Sequence, residues 1–390
     1  MRRKLLPVLL LALSAPAWGA YAYRLTVTVP AKCVGGGNCT STTGTENESN
    51  FVVPVAASDA SLKLHSGSGQ IYNTTTILGE TVPVDGIFTT DATCSSVTGV
   101  NGWAFKYYSG TGGLFFAYVN VGTLTYGSPT VFYYCYGQSP DNTWHGGVQG
   151  AAFNSAGVYY PFGNGTTLNT NDFSANANNF TGNRFGPTAE AGAFDGAISA
   201  VTSEAMYGAP VVGLPTGAVN ATMCMVAYNS AILSWGVYGT GQGINFGPYQ
   251  GSNTLTLNWM ISYSNNGGAW GINATGAFPS NAWTPVCATV TSGTTVRFYI
   301  NGVADSGNPQ TFTALDIATG SINVGFDAQN NAVYDTQSSD DLIYNSVKSA
   351  GWIATWSNSM SQNSTFAAVS AIGPFSGGAA HPVTMTPILW

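Results

Sequence analysis

Charge is what this chain has least of. Only 7% of its 390 residues are Asp, Glu, Lys or Arg, against roughly 25% in an average soluble domain. Five Glu and five Lys are all it holds, which argues against an architecture of long surface helices, since those rely on both residues for solubility and for i,i+4 pairing. Basic clusters are missing as well. Beyond residue 20 there are 7 Lys and Arg against 17 Asp and Glu, a formal net charge of −10, so nucleic acid is a poor partner. Long apolar runs are also absent after the N-terminus, and with them any membrane-spanning helix of about 20 residues. What the chain does have is 49 Gly, an aromatic set of 19 Phe, 10 Trp and 20 Tyr, and 44% apolar residues overall. That is enough burial to offset chain entropy, so the expectation is an ordered, mostly β protein.

Residues 1–20 read as a secretory signal. Arg2, Arg3 and Lys4 precede an apolar run from Leu5 to about Leu13, and small residues at Ala15-Pro16-Ala17 or Ala17-Trp18-Gly19 offer an exit. The mature chain is then exported, whether extracellular, on the cell surface or periplasmic. The six cysteines Cys33, Cys39, Cys94, Cys135, Cys224 and Cys287 are an even number in such a chain and favour disulfides. If each domain closes its own bridges, Cys224 pairs with Cys287, the neighbouring Cys33 and Cys39 close a small loop, and Cys94 and Cys135 remain. A zinc site is disfavoured by the spacing of Cys33 and Cys39 and by the scatter of His65, His145 and His381.

Short alternating segments follow the leader: Tyr23 to Val29, Phe51 to Val55, Gly86 to Thr90, Trp103 to Tyr107, Leu114 to Val121 and Thr130 to Tyr136. Turn residues separate all of them, the pattern of a β-sandwich. A Gly/Asn-rich stretch, Gly163 to Asn183, opens a second series: Thr222 to Tyr228, Ile232 to Val237, Thr254 to Tyr263, Val286 to Val290, Thr295 to Ile300 and Ser321 to Gly325. Ser292-Gly293 reads as a hairpin turn, and Asn301-Gly302 suits a type I′ turn. One helix is expected, from Ser349 to about Met360, with Ile353, Trp356 and Met360 on its core-facing side. The fold class is therefore all-β, two β-sandwich domains with a short helix near the C-terminus: 21–150, then 151–370, then a tail 371–390.

The second series resembles the laminin-G-like, concanavalin-A-like jelly rolls of secreted bacterial proteins. The resemblance is carried by Asp172-Phe173-Ser174-Ala175-Asn176-Ala177-Asn178-Asn179, by Ala193-Phe194-Asp195-Gly196, by Ile232 to Gly236, by Trp283 to Val290 and by Arg297 to Gly302, in the family's order. The first half resembles an extracellular family known as domain of unknown function 2341, through Tyr23 to Val29, Gly86 to Thr90, Leu114 to Val121 and Val131 to Gly137. Gly157 to Phe162 resembles the strand that opens such a jelly roll, and Val347 to Ile353 its closing segment. Asp340-Asp341-Leu342-Ile343-Tyr344 departs from the family's last strand by lacking its Arg, Pro161 stands where His is usual, and Phe180 where Gly is common.

Glucanases with this fold place two carboxylates beside the scissile bond. No Glu follows Glu204, and the adjacent Asp340 and Asp341 should point to opposite faces of a strand, so they are read as capping a strand end or a turn. No Gly-x-Ser-x-Gly elbow occurs. Binding is the stronger expectation, because aromatic rings beside Asn, Asp and Gly suit sugar faces. Trp235, Tyr249, Trp259 and Trp270 are the candidate platform, although each also fits a core position. Asp172, Asp195, Asp316 and Asp327 are candidate calcium ligands; no cofactor is required, and the resemblance permits calcium without demanding it. The chain thus reads as a non-enzymatic secreted or cell-surface protein that binds a glycan or cell-envelope polymer through the jelly roll. The alternative is a structural component that associates with itself or with other surface proteins, and a polysaccharide hydrolase ranks third. Peptide mapping without reduction is expected to recover Cys224 joined to Cys287, and a free thiol at either position would break the domain-by-domain pairing.

Overall fold

Four sheets stack face to face in the computed structural model, which describes residues 21–138, 141–153, 155–200, 204–210, 212–229, 231, 233–236, 242–248, 254–261, 270–279, 281–311, 317, 320–325 and 336–374. The leader, Tyr249, Asp316, Asp327 and the tail beyond 374 lie outside these residues. The outermost sheet has four strands in the spatial order Ala368–Pro374, Tyr23–Val29, Thr130–Tyr136, Gly86–Thr89. Next comes a three-stranded sheet, Glu48–Ser58, Leu114–Leu124, Val100–Ser109. The third has nine strands, with Thr336–Tyr344 and Ala221–Ala227 near its centre, and the fourth seven strands, from Phe180–Arg184 at one edge to Trp270–Ala277 at the other.

The nine-stranded sheet is buried on both faces, and its sequence shows why. In Ala221–Ala227, Met223 and Met225 enter the core shared with the seven-stranded sheet, while Cys224 and Val226 join the core of the N-terminal layers. Thr284–Thr291 does the same, with Val286, Ala288 and Val290 on one side and Cys287 on the other. Both strands are therefore apolar at almost every position instead of alternating. Cys224 and Cys287 stand directly opposite each other in this pair. All three expected disulfides form: Cys33 to Cys39, Cys94 to Cys135 and Cys224 to Cys287. Asn301 and Gly302 both have positive φ, 51° and 76°, as a type I′ turn requires.

Two features depart from the expected domain layout. The strand Ala368–Pro374 leaves the jelly roll and pairs with Tyr23–Val29, so the boundary expected at residue 370 falls inside a strand of the N-terminal sheet. The hairpin Thr74–Ile77 with Glu80–Pro83 was not expected, since its first strand, Thr-Thr-Thr-Ile, carries no apolar alternation.

The helix Ala350–Ser361 is capped by Ser349, whose Oγ accepts from Trp352 N at 2.9 Å. Ile353, Trp356 and Met360 are buried, as their spacing implied. Its polar side is buried too. Thr355 Oγ1 accepts from Gly35 N at 2.8 Å, and Asn358 Nδ2 donates to the Cys33 and Gly37 carbonyls at 3.1 and 2.8 Å. The helix therefore clamps the jelly roll to the N-terminal layers. Beside this clamp, burial, with Glu46 nearby, pushes the Glu48 carboxyl up to about 8, against the opposing pull of Lys348 and Thr355. A carboxyl with a raised folded-state pKa holds its proton more tightly when folded, so its contribution is present below the unfolded value of about 4.3 and is lost as pH rises toward 8. Asp85 and Asp195, raised by burial to about 6, finish titrating earlier. Glu48→Gln is therefore expected to flatten the loss of stability between pH 7 and 9, read from urea midpoints; an unchanged slope would remove Glu48 as its source.

Candidate functional site

The most strongly charged place in the interior lies where the three-stranded and nine-stranded sheets meet. Lys106, on Val100–Ser109, is fully buried and donates to Asp340 Oδ2 at 3.3 Å and to the Gly196 carbonyl at 3.0 Å. Asp340 Oδ1 accepts from the Tyr159 hydroxyl at 2.9 Å and from the Tyr118 hydroxyl, and Ser339 Oγ donates to Oδ2. Phe194 lies 5.6 Å from the Lys106 ammonium, and Phe153 stacks on Tyr159 at 3.8 Å. Burial pulls the Lys106 ammonium below its usual range, while Asp340, Asp195 and Glu80 act to keep it charged.

The strand Thr336–Tyr344 makes this possible through a bulge. It pairs with Asp195–Ala200 through Thr336 to Ser338 and with Ala156–Tyr160 through Asp341 to Tyr344. Its register against Ala221–Ala227 shifts between these two stretches, and Asp340 takes a φ of 56° there. Asp340 and Asp341 do face opposite ways, but they sit in mid-strand at this bulge rather than capping an end. Asp341 bonds to Ser338 Oγ, and its other oxygen is buried with no hydrogen-bond partner. Burial drives its pKa well above the carboxylate range.

Of the candidate calcium ligands, Asp172 and Asp195 are described and make different contacts. Asp172 is buried, and its carboxylate accepts from Tyr159 N, Ser174 N, Ser174 Oγ and Asn178 N at 2.7 to 2.9 Å. Those four donors use its four lone-pair positions, so in this arrangement Asp172 organises its own loop and has none left for a metal. Asp195, at φ 71°, belongs to the Lys106 centre. Among the described residues no three His, Cys, Asp or Glu converge in a metal-holding group.

Of the candidate platform, Trp235, Trp259 and Trp270 fall in one row across the seven-stranded sheet, in the register Ile322, Trp235, Ile244, Trp259, Trp270. Ile322 and Ile244, in that same row, are fully buried in the inter-sheet core. The alternate rows belong to the outer face. One of them runs Gly182, Tyr207, Asn323, Ser234, Asn245, Asn258. Tyr207 is 41% exposed, and its ring occupies the space above Gly182 that a Cβ would fill. Beside it Asn323 is buried, and its Oδ1 has no hydrogen-bond partner. Arg184 shares this face, two residues along from Gly182, with its guanidinium 5.1 Å from the ring of Phe185. Phe185 is 69% exposed and has a φ of 56°, a conformation costly for a bulky residue and one that concentrates at ligand sites. Tyr207, Arg184 and Phe185 were not singled out in the sequence, because one aromatic in Ala-Met-Tyr-Gly-Ala-Pro gives no sign of which face it takes.

With this geometry the second half is a concanavalin A-like jelly roll. Residues 223–354 match the laminin-G-type family described as "Concanavalin A-like lectin/glucanases superfamily". Among solved structures, the chain is similar to domain 4 of AbnA, a GH43 extracellular arabinanase from Geobacillus stearothermophilus, in complex with arabinotriose. The TM-score is 0.40 at 17% identity, covering 51% of this chain and 97% of that one. It is also similar to the botulinum neurotoxin serotype G binding domain, with a TM-score of 0.36 at 12% identity, over 52% of this chain and 50% of that one. The botulinum neurotoxin serotype D ligand binding domain in complex with N-acetylneuraminic acid gives 0.36 at 14%, with 52% and 50% covered. The chain thus spans about half the length of either neurotoxin domain. No curated protein sequence matches it. No helix among the described residues is long and apolar enough to cross a membrane.

Asp172→Ala strands several buried donors, each worth about 1–3 kcal/mol when unpaired. It is expected to lower the unfolding midpoint equally with calcium and with chelator. A loss seen only in calcium would restore Asp172 as a ligand.

Proposed function

We propose that this is an exported, non-enzymatic glycan-binding protein, and that it takes a sugar on the outer face of the seven-stranded sheet around Tyr207, Arg184 and Phe185. The observation that carries the reading is the Tyr207 ring, placed over Gly182 and 41% exposed, on the strand pair that also carries the exposed Phe185 at its end. Sugar rings have apolar C–H faces that stack on aromatic rings, while their hydroxyls seek amides and guanidinium groups. Arg184, exposed on this face, supplies such a group. The three disulfides and the leader support export. The N-terminal layers, which resemble domain of unknown function 2341, serve as the support that covers the opposite sheet.

A hydrolase is less well supported. Asp340 is occupied by Lys106 and two tyrosines, and Asp341 faces away from it into the core. Glycan-array binding followed by titration tests the proposal. Tyr207→Ala and Phe185→Ser are each expected to weaken binding by about tenfold or more, equivalent to about 1.4 kcal/mol, with the unfolding midpoint little changed. Unaltered affinity in both variants, or no glycan bound by the wild type, would overturn it.

A further inference from the structure

We propose that Lys106 and Asp340 condense into an intramolecular amide bond that ties the N-terminal layers covalently to the jelly roll. Amine and carboxyl groups do not condense in water, because both are ionised and solvated. Here both are fully buried, with Lys106 Nζ 3.3 Å from Asp340 Oδ2. That contact holds Nζ beside the carboxyl group whose carbon, Cγ, carries Oδ2, and fixed placement of this kind replaces a bimolecular encounter. The walls are aromatic: Phe194 faces Tyr118 at 5.4 Å between ring centres, Tyr118 faces Tyr159 at 5.2 Å, and Phe153 closes over both. In such surroundings a charged pair is expensive, and burial pulls the Lys106 ammonium below its usual range, toward the free amine. The neutral pair is the reactive one.

The surrounding groups fit the steps. The Nζ lone pair attacks Asp340 Cγ, and a C–N bond forms. Charge developing on Oδ1 meets the hydroxyls of Tyr118 and Tyr159, which already donate to that oxygen. One proton leaves Nζ and is delivered to Oδ2, the Cγ–Oδ2 bond breaks, and Oδ2 departs as water. Ser339 Oγ donates to that leaving oxygen. One oxygen and two hydrogens are lost in all, and nothing is oxidised or reduced. Asp195 is placed as the proton carrier. It interacts electrostatically with both Lys106 and Asp340, its Oδ2 is buried without a hydrogen-bond partner, and burial raises its carboxyl to about 6, so it exchanges a proton readily near neutral pH.

The linkage would join residues separated by 234 positions in sequence. It would leave the two halves held by a bond that reduction does not break, whereas each of the three disulfides closes within one half.

Denaturing mass spectrometry of the purified wild-type chain tests this without any ligand. The expected mass is lower by one water than that of Lys106→Arg, after the substitution itself is accounted for. The digest should lack cleavage after Lys106 and contain a branched peptide joining the Lys106 and Asp340 segments. On a reducing, denaturing gel the wild type should migrate faster than Lys106→Arg, which cannot condense whether or not it folds. Asp195→Asn should accumulate chains that retain the water. A wild-type chain with the full mass and an ordinary Lys106 cleavage would overturn the bond. Complete condensation of Asp195→Asn at the wild-type rate would overturn the role of Asp195.

Discussion

The contact between Lys106 and Asp340 is the constraint around which the rest of the molecule is arranged. Removing two charges from water costs several kcal/mol per ion before their attraction and hydrogen bonds repay it. The repayment here requires groups from three separate places: Tyr118 and Lys106 from the three-stranded sheet, Tyr159 from the strand that opens the jelly roll, and the Gly196 carbonyl from the strand Asp195–Ala200. The contacts from Lys106 and Tyr118 cannot form unless the two halves dock in one register. A purely apolar contact between two sheets would tolerate sliding. The buried pair does not, and so it selects one arrangement of the four layers.

Docking also explains the burial pattern of the nine-stranded sheet. Its inner face would be covered in any jelly roll, but its outer face is covered here by Phe116, Phe51 and the helix Ala350–Ser361. Trp352 at the start of that helix contacts both Phe51 and Tyr344, one from each half. The strand Ala368–Pro374 then returns to the first sheet, so the first and last described strands lie in the same layer. The two halves form one continuous stack, in which the central strands of the nine-stranded sheet are buried on both faces.

Much of the fold was legible because strand periodicity and turn chemistry are local. Asn301-Gly302 needs only its own dihedrals, and Ile353, Trp356 and Met360 need only helical spacing. The pairing of Cys224 with Cys287 followed from a count within one domain. The polar centre was not legible, for a physical reason. Lys106 lies in an ordinary strand sequence, Trp-Ala-Phe-Lys-Tyr, and its partner is more than 200 residues away. Asp340 looked like a strand-end residue because the bulge that turns it toward Lys106 depends on two neighbouring strands that come from elsewhere in the chain. The tryptophans show the converse problem: only strand pairing puts Trp235 and Trp259 in one register row with Ile244 and Ile322.

The scarcity of charge gains meaning from this arrangement. Lys106, Asp340, Asp195, Glu80 and Asp341 all lie wholly or largely out of solvent, so few ionised groups remain for the outer surfaces. A surface poor in charge has little long-range steering and little salt-sensitive attraction to other macromolecules. Recognition on such a surface must come from short-range stacking and hydrogen bonding. The proposed site, Tyr207 over Gly182 with Arg184 against Phe185, relies on those interactions. The opposite side of the jelly roll is already committed to docking, so the outer face of the seven-stranded sheet is where a neutral, hydroxyl-rich ligand can be met.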